Sequence, residues 1–571
     1  MLFRYLVLLS GDLVLSLIDV LQDAHCLRSD QTGSSGDDNP AGVGHVRPIG
    51  DGRARLRHEA GSLVAAAGSG LLLASAFPRS GLDALAWVCL VPLLWALERC
   101  SGPPRAALVA WVSGVVFFSV DLRWIYLTLV THGHFSALVA LVIFLVLVSF
   151  LALYFAGFGF GFAAFASRGW SPALAGPFLW VALEFLRTHL LSGFPWDLVG
   201  YSQAGHLSLL QVVDITGVYG VSWLVVLANV AVWEVVESLA RRTRPSLTTP
   251  LFALAMLAAV LSYGHMRLSA PPEVKQPSPM PKIAVIQGNI PQIDKWKLEA
   301  REATFRKYEQ LAERTVGQGA ELLVWPETSV PVLFGSPDPD QMRPRELSLK
   351  LGVPMLIGAP SVVPADEQPR YYNSAFLIDG LSLQAEYHKM HLVPFGEYTP
   401  LTWLIGWRRG LVVTRHANYS SGDHMTVMQS GTLPRFSVLI CYEAIFPGLA
   451  REALHNGAQM LINITNDGWF GDSAAPYQHV RMARVRAVEN RVSLIRCANT
   501  GISAVIDPRG RITHSIPLNT EGSFVADVPS EGPVGSFYSR YGDLFAWTCV
   551  MVCIAFGVLP RKSRLSHVLC K

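Results

Sequence analysis

The stretch FSVLICYEAIFPGLAREA (residues 436–453) changes character at Cys441. FSVLI shows no alternation of polar and apolar residues, the pattern of a strand buried on both faces. Pro447 then opens a helical pattern at the first turn, where proline is well tolerated. Cys441 thereby falls where a buried strand breaks toward a helix, flanked by Tyr442 and Glu443. A cysteine on such a turn can face a pocket in which helix-end amides stabilise negative charge. Taken alone it reads first as a small core hydrophobe, and the chemistry of two further stretches reverses that order.

Outward from this stretch, the 571 residues are 51% hydrophobic and only 16% charged, with a mean hydropathy of +0.34. Soluble domains carry roughly 25% charged residues, so much of this chain belongs in lipid. A net charge of +3 leaves no electrostatic footprint for a nucleic-acid partner. The eight cysteines lack regular spacing and form neither a zinc pattern nor a disulfide framework. Cys26, Cys89, Cys100, Cys549, Cys553 and Cys570 lie in apolar segments or near the chain ends. Only Cys441 and Cys497 lie in the polar part, and Cys497 (SLIRCANTG) sits in a second buried-strand pattern and reads as core.

Residues 1–60 begin with an apolar segment interrupted by Asp12 and Asp19, too short for a span, and continue Gly/Asp/Ser-rich. They read as a disordered N-terminal extension. Spans are expected at 62–78, 83–99, 105–121, 135–164, 172–190, 216–237 and 250–267, a seven-helix membrane domain over 61–269. An eighth at 543–560 with a basic tail completes 543–571. The clusters GRARLRHE, ERCSGPPR, SRGW, ESLARRTRPS and RKSR all fall on one side when the crossings are counted. By the positive-inside rule that side is cytoplasmic, which puts 270–542 on the outer face. GFGFGF (157–162) lies inside a span with no strand before it, so it reads as close helix packing rather than a dinucleotide site. Glu184 and Arg187 are spaced to pair on one helix face, and SGFPWDLVGYSQ (192–203) reads as an interfacial turn on the outer face.

After a Pro-rich linker (270–281) the chain alternates as soluble α/β. Strands are expected at KIAVIQGN, AELLVWPE, VPMLIGAP, NSAFLID, LQAEYHK, FSVLICYE, AQMLINITND, SLIRCANTG and SAVIDPRG, and helices at 295–318, 340–351, 447–456 and 476–491. Glu327, Lys389 and Cys441 each stand just past a buried strand, where α/β proteins gather active sites. Their chemistry is complementary: a carboxylate takes the thiol proton, the thiolate attacks a carbonyl, and an ammonium stabilises the oxyanion. His388 and His391 flank the lysine without a metal-ligand set around them.

WPE, the lysine of YHKMHLVPFGEYTP and CYE resemble the Glu-Lys-Cys motifs of the nitrilase superfamily. The longer blocks resemble one branch of it, the apolipoprotein N-acyltransferases. Those blocks are QGNIPQIDKW (287–296), HKMHLVPFGEYTP (388–400), ICYEAIFP (440–447), INITNDGWFG (462–471), RAVENR (486–491) and FPWDLVGYSQ (194–203). The resemblance implies about eight transmembrane helices plus a nitrilase-like αββα sandwich over 270–542. It implies Cys441 as nucleophile, Glu327 as general base and Lys389 as oxyanion stabiliser. It implies supporting roles for Glu397, Tyr442 and Glu443, and a substrate-contacting role for Trp296. For Glu397, a hydrogen bond to Lys389 and proton transfer both remain open. Trp469 and Phe470 offer apolar groups that could dip toward lipid.

The implied reaction is ping-pong and needs no cofactor or metal. An acyl chain passes from a phospholipid, typically phosphatidylethanolamine, to Cys441, then to the amino group of a diacylglyceryl-cysteine on an apolipoprotein. The implied location is the bacterial inner membrane, with the catalytic domain facing the periplasm. A membrane-tethered amidase would have no use for eight spans. A non-enzymatic transporter or scaffold would have no need of an intact Glu327, Lys389 and Cys441 set.

Overall fold

In lipid every backbone polar group must be satisfied within the chain, and the apolar first half answers with helices. The computed structural model describes residues 50–77, 79, 81–271, 280–365, 368–398, 418–529 and 535–559. Of the extension expected over 1–60, residues 1–49 lie outside the described residues, as do most of the linker at 270–281 and the RKSR cluster, whereas residues 50–60 are helical. The membrane half comprises α1 (Gly50–Ser75), α2 (Val91–Glu98), α3 (Pro103–Asp121), α4 (Arg123–Thr131), α5 (Ala137–Ser167), α6 (Pro172–His189), α7 (Val218–Ala240) and α8 (Thr248–Ser269). Among the described residues four helices, α3, α5, α7 and α8, are long and apolar enough to cross a membrane, so four of the eight expected spans stand on length and composition. Shorter apolar stretches at Glu59–Ser75, Leu207–Thr216 and Leu544–Val558 accompany them.

The expected span at 83–99 is not one helix. A 3-10 turn (Asp83–Trp87) leads into α2, whose 8 residues rise only about 12 Å, against a hydrocarbon core of about 30 Å. Asn229 of α7 closes the break. Its Oδ1 accepts from the Leu90 amide (2.7 Å) and its Nδ2 donates to the Ala86 carbonyl (2.8 Å). The GFGFGF stretch does pack closely, since a Cβ on Gly159 would run into Ala106 and Ala110 of α3. Glu184 and Arg187 are both buried, and each also bonds the following loop. Glu184 accepts from the Val199 amide (2.7 Å) and Trp180 Nε1 (3.0 Å), and Arg187 donates to the Asp197 carbonyl (3.4 Å).

The second half runs β1 (Lys282–Gln287), α9 (Leu298–Val316), β2 (Leu322–Val324), α10 (Arg343–Leu351), β3 (Met355–Val363), β4 (Arg370–Asp379) and β5 (Ser382–His388). It continues with β6 (Val427–Met428), β7 (Phe436–Ile440), α11 (Pro447–His455), β8 (Met460–Thr465) and α12 (Ala475–Asn490). β9 (Leu494–Ala498), β10 (Ser503–Ile506), β11 (Ile512–Ile516) and β12 (Gly522–Asp527) follow, and α13 (Phe537–Tyr541) and α14 (Leu544–Val558) return toward the membrane half. One six-stranded sheet has the order β12-β1-β2-β3-β4-β5 and the other β11-β10-β9-β8-β7-β6. Their facing sides share a core in which Val285, Val324 and Leu377 meet Val438, Ile440 and Ile462. On the outer side of the first sheet, Phe305, Tyr308 and Leu311 of α9 cover Ala284, Leu323 and Ile357. On the second, Ala450 of α11 and Ala483 and Ala487 of α12 join the core. The result is a helix–sheet–sheet–helix sandwich in which β7 is buried on both faces, as its composition requires.

Helix α12 is buried apart from a half-buried stripe of Tyr477, Arg481 and Arg484. While Ala483 and Ala487 face the sandwich, Met482, Val485 and Val488 join the apolar cluster of the membrane helices. Its polar side chains tie the two halves together. Gln478 accepts from Trp196 Nε1 (3.0 Å) and donates to Asp121 (2.9 Å), and Arg486 donates to the Tyr201 hydroxyl (2.9 Å). Glu489 accepts from the Val218 amide (3.0 Å), and Arg491 pairs with Asp214 (2.6 Å). The 192–203 loop is therefore not a turn at the lipid boundary: Trp196 is 1% exposed, sealed between the halves. Trp469 and Phe470 are half-buried and dock on α4. Phe470 stands 4.7 Å from the Trp124 ring, and Thr128 donates to the Trp469 carbonyl (2.9 Å).

Candidate active site

Each of three strands delivers one reactive side chain to the same end of the sandwich. Glu327 follows β2 by three residues, Lys389 follows β5 directly, and Cys441 follows β7 directly. The turn after β2 lies so close to β3 that a Cβ on Gly358 would strike the main chain at Pro326 and Glu327. Glycine there lets the carboxylate enter the interior. Cys441 has φ +54° and begins a 3-10 turn (Cys441–Ile445), a strained conformation for a residue with a side chain.

The structure brings Glu327, Lys389, Cys441 and Glu397 together. Glu327 accepts from Asn373 Nδ2 (2.8 Å) and the Asn466 amide (2.7 Å), and its Oε1 is 3.9 Å from Lys389 Nζ. Lys389, 1% exposed, donates to Glu397 at 2.8 and 2.9 Å. Asn373 also donates to Glu397 (2.9 Å) and so links the two carboxylates. Burial alone would lower the Lys389 ammonium, but Glu397, Glu327 and Cys441 overcome it and raise its pKa above the ordinary lysine value. Burial and then the Glu327 charge push the Cys441 thiol up, while Lys389 pulls it down. The thiol is thus protonated at rest, beside a carboxylate that can take its proton.

A further network fixes the turn itself. Glu443, fully buried, accepts from the Tyr387 hydroxyl (2.8 Å) and the Met390, His391 and Ile440 amides (2.7, 3.0 and 2.7 Å). It thereby joins the start of the turn to the loop after Lys389, and burial pushes its carboxyl up to about 7. Tyr442 packs against Phe446 with ring centres 5.0 Å apart and faces the membrane helices. His479 Nε2 donates to the Cys441 carbonyl (3.1 Å), and its Nδ1 faces Asp467 and Arg496, also at 3.1 Å. Burial works against the Asp467 carboxylate, yet Arg496 and His479 hold it down at about 2.

Trp296 is 44% exposed on the loop between β1 and α9 and does not join this cluster. Its neighbour Lys295 does. Lys295 is 2% exposed and donates to the Glu327 carbonyl (3.1 Å). Burial lowers its ammonium to about 7 against the pull of Glu327 and Cys441. Sequence reasoning passed over Lys295, Asn373, Asn466 and His479. Asn373 carried a usable signal, since it is a polar residue in register with Ala375 and Leu377 on the inward face of β4. Among the described residues no group of three His, Cys, Asp or Glu side chains is placed to hold a metal ion.

Residues 69–231 match the family described as apolipoprotein N-acyltransferase N-terminal domain, and residues 282–532 match carbon-nitrogen hydrolase. The chain is 39% identical to the apolipoprotein N-acyltransferase of Geobacter metallireducens over 503 residues, covering 87% of this chain and 95% of that one. It is 35% identical to the apolipoprotein N-acyltransferase of Rhodopseudomonas palustris, covering 82% and 88%. Saccharomyces cerevisiae Nit3, a solved member of the nitrilase superfamily, aligns with 48% of this chain and 97% of its own at 21% identity, with a TM-score of 0.36. With both halves matched and most of its length shared with these relatives, this membrane protein is an acyltransferase that belongs to the apolipoprotein N-acyltransferase family.

Proposed function

We propose that the chain transfers a fatty acyl group from a phospholipid, phosphatidylethanolamine foremost, to the α-amino group of the diacylglyceryl-cysteine that begins an apolipoprotein. The observation that carries this reading is the setting of the elbow. Cys441 is buried beside Glu327 and Lys389, and the residues that follow it, Tyr442, Ile445 and Phe446, belong to the apolar cluster of the membrane helices. A nucleophile in that setting suits two substrates that stay in the bilayer, and it suits a small soluble amide poorly.

In the first half-reaction Glu327 takes the thiol proton and Cys441 Sγ attacks the ester carbonyl, while the Lys389 ammonium stabilises the oxyanion. The C–O bond breaks, Glu327 returns the proton to the departing glycerol oxygen, and a lysophospholipid leaves a thioester. In the second, the lipoprotein amine attacks the thioester and gives its proton to Glu327, the C–S bond breaks as an amide forms, and Glu327 returns the proton to the departing Cys441 sulfur. Glu397 and Asn373 position Lys389 and Glu327 throughout. Burial of the cluster excludes the water that would otherwise hydrolyse the thioester.

The arrangement of the helix ends supports an inner-membrane location with the sandwich facing the periplasm. Arg99 pairs with Glu237 (2.9 Å) and Arg241 with Glu98 (2.8 Å), and Arg168 donates to the Gly557 carbonyl. Three of the basic clusters thus end away from the sandwich, where positive charge marks the cytoplasmic side.

Incubation with phosphatidylethanolamine and a synthetic diacylglyceryl-cysteine peptide tests the reading. Wild type should N-acylate the peptide, and Glu327→Gln, Lys389→Met and Cys441→Ala should each lower the rate by at least about 10³-fold. Turnover of small amides with no peptide product would establish a membrane-tethered amidase instead.

A further inference from the structure

Acyl transfer to an amine leaves one proton to be placed. An α-amino group, with an ordinary pKa of about 8, arrives at neutral pH mostly as an ammonium. Its nitrogen must shed two protons to become an amide: one to free the electron pair that attacks, and one as the C–N bond forms. Glu327 handles the second and returns it to the Cys441 sulfur. It can hold only one proton at a time, so in a site that excludes water the first needs another acceptor within the chain. The first half-reaction has no such surplus, because the thiol proton ends on the glycerol oxygen.

Lys295 stands where that acceptor is needed. It closes a turn after β1, its amide donating to the Pro291 carbonyl (3.2 Å), and two anchors hold this turn against the cluster. Lys295 Nζ donates to the Glu327 carbonyl (3.1 Å). Gln292 Oε1 accepts from Asn466 Nδ2 (2.7 Å), and the Asn466 amide in turn donates to Glu327 Oε2 (2.7 Å). The titratable groups that act on Lys295 are Glu327 and Cys441. Burial lowers its ammonium to about 7 against their pull, so the free amine is populated at neutral pH. The neighbouring groups are less suited. Lys389 holds its own proton firmly, and the oxygens of Glu397 are occupied by Lys389, Asn373 and the Val393 amide. With Glu327 and Glu397 ionised against the one charge of Lys389, a proton on Lys295 brings the four groups to balance.

We propose that Lys295 takes the first proton from the incoming lipoprotein ammonium, ahead of the attack on the Cys441 thioester. The inference rests on the acyl transfer proposed above. An N–H bond of the ammonium breaks, its electron pair stays on nitrogen, and Lys295 becomes the charged form. The C–N bond then forms and the C–S bond breaks, while the second proton passes through Glu327 to the Cys441 sulfur. Lys295 gives its proton to water once the product has left, and the resting state returns.

The test starts from the full chain loaded with a fatty acyl group by phosphatidylethanolamine and follows the loss of that mass to two amines. One is a diacylglyceryl-cysteine peptide, which arrives as an ammonium; the other is hydroxylamine, which is uncharged at neutral pH. In Lys295→Met the rate with the peptide relative to that with hydroxylamine should fall at least about tenfold at neutral pH. The deficit should shrink as the pH is raised to about 9, where the peptide amine arrives uncharged. Lys295→Gln, which keeps a donor for the Glu327 carbonyl, should show the same deficit. A wild-type ratio in Lys295→Met, a deficit that does not change with pH, or a ratio restored by Lys295→Gln would each overturn the inference. So would a Lys295→Met chain that is folded by its melting temperature but no longer loads, which would place the residue in the first half-reaction. No loaded mass on folded wild type would overturn the acyl-transfer reading itself, and this inference with it.

Discussion

Glu443 shows how much a single side chain can fix. Its two oxygens accept four hydrogen bonds from Tyr387, Met390, His391 and Ile440, and only a carboxylate offers that many acceptor sites there. Glu443→Gln keeps the size but turns an amide donor toward groups that also donate. It should lower stability by about 2–3 kcal/mol and cut acyl transfer at least tenfold, measured as melting temperature and rate on one preparation. Lys295 makes a different prediction. Its ammonium is held at about 7 in the fold against 10.5 unfolded, first by burial, so between those values the unfolded chain binds more protons. Its contribution to stability is complete above 10.5 and is lost as pH falls through about 7. Lys295→Met should therefore gain on wild type by a few kcal/mol as pH is lowered from 10 to 6, read from unfolding midpoints at each pH. Neither role could be read from the residues alone. Lys295 looks like a solvated charge beside Trp296 until the Glu327 carbonyl, 32 residues on, turns it inward.

Among the elements, α12 bears most on how the halves act together. Arg491 and Asp214 have side chains 7% and 5% exposed and meet at 2.6 Å, and breaking one side of a buried pair costs about 3–5 kcal/mol. Arg491→Met should cost that much in thermal unfolding. Adding Asp214→Asn should cost much less than the sum, because the double variant leaves no lone buried charge. RAVENR was legible as a family block, yet its physical reason lies in Tyr201, Asp214 and Val218, hundreds of positions earlier. The strands divide in the same way. KIAVIQ, FSVLI and MLINIT declared themselves because both faces are buried. ITHSI, with four of five residues exposed, carries no apolar pattern and became a strand only by pairing with β10. The break within 83–99 was equally hidden, since the groups it frees are satisfied by Asn229, 139 and 143 positions away.

Across the whole molecule, the membrane half is the floor of the proposed reaction site as well as an anchor. The turn that holds Cys441 packs on it, α4 seats Trp469 and Phe470, and α12 bolts the sandwich to it. Even with 83–99 broken, the chain returns to the end away from the sandwich, since Arg99 reaches Glu237 there. The central claim is a thioester on Cys441, poised between a lipid donor and an amine acceptor. Intact mass of the protein after incubation with phosphatidylethanolamine tests it most directly. Wild type should gain one fatty acyl chain, Cys441→Ala should gain none, and the adduct should persist in buffer and be discharged by a diacylglyceryl-cysteine peptide. An adduct lost to water as fast as to the peptide, or no adduct on folded wild type, would contradict it.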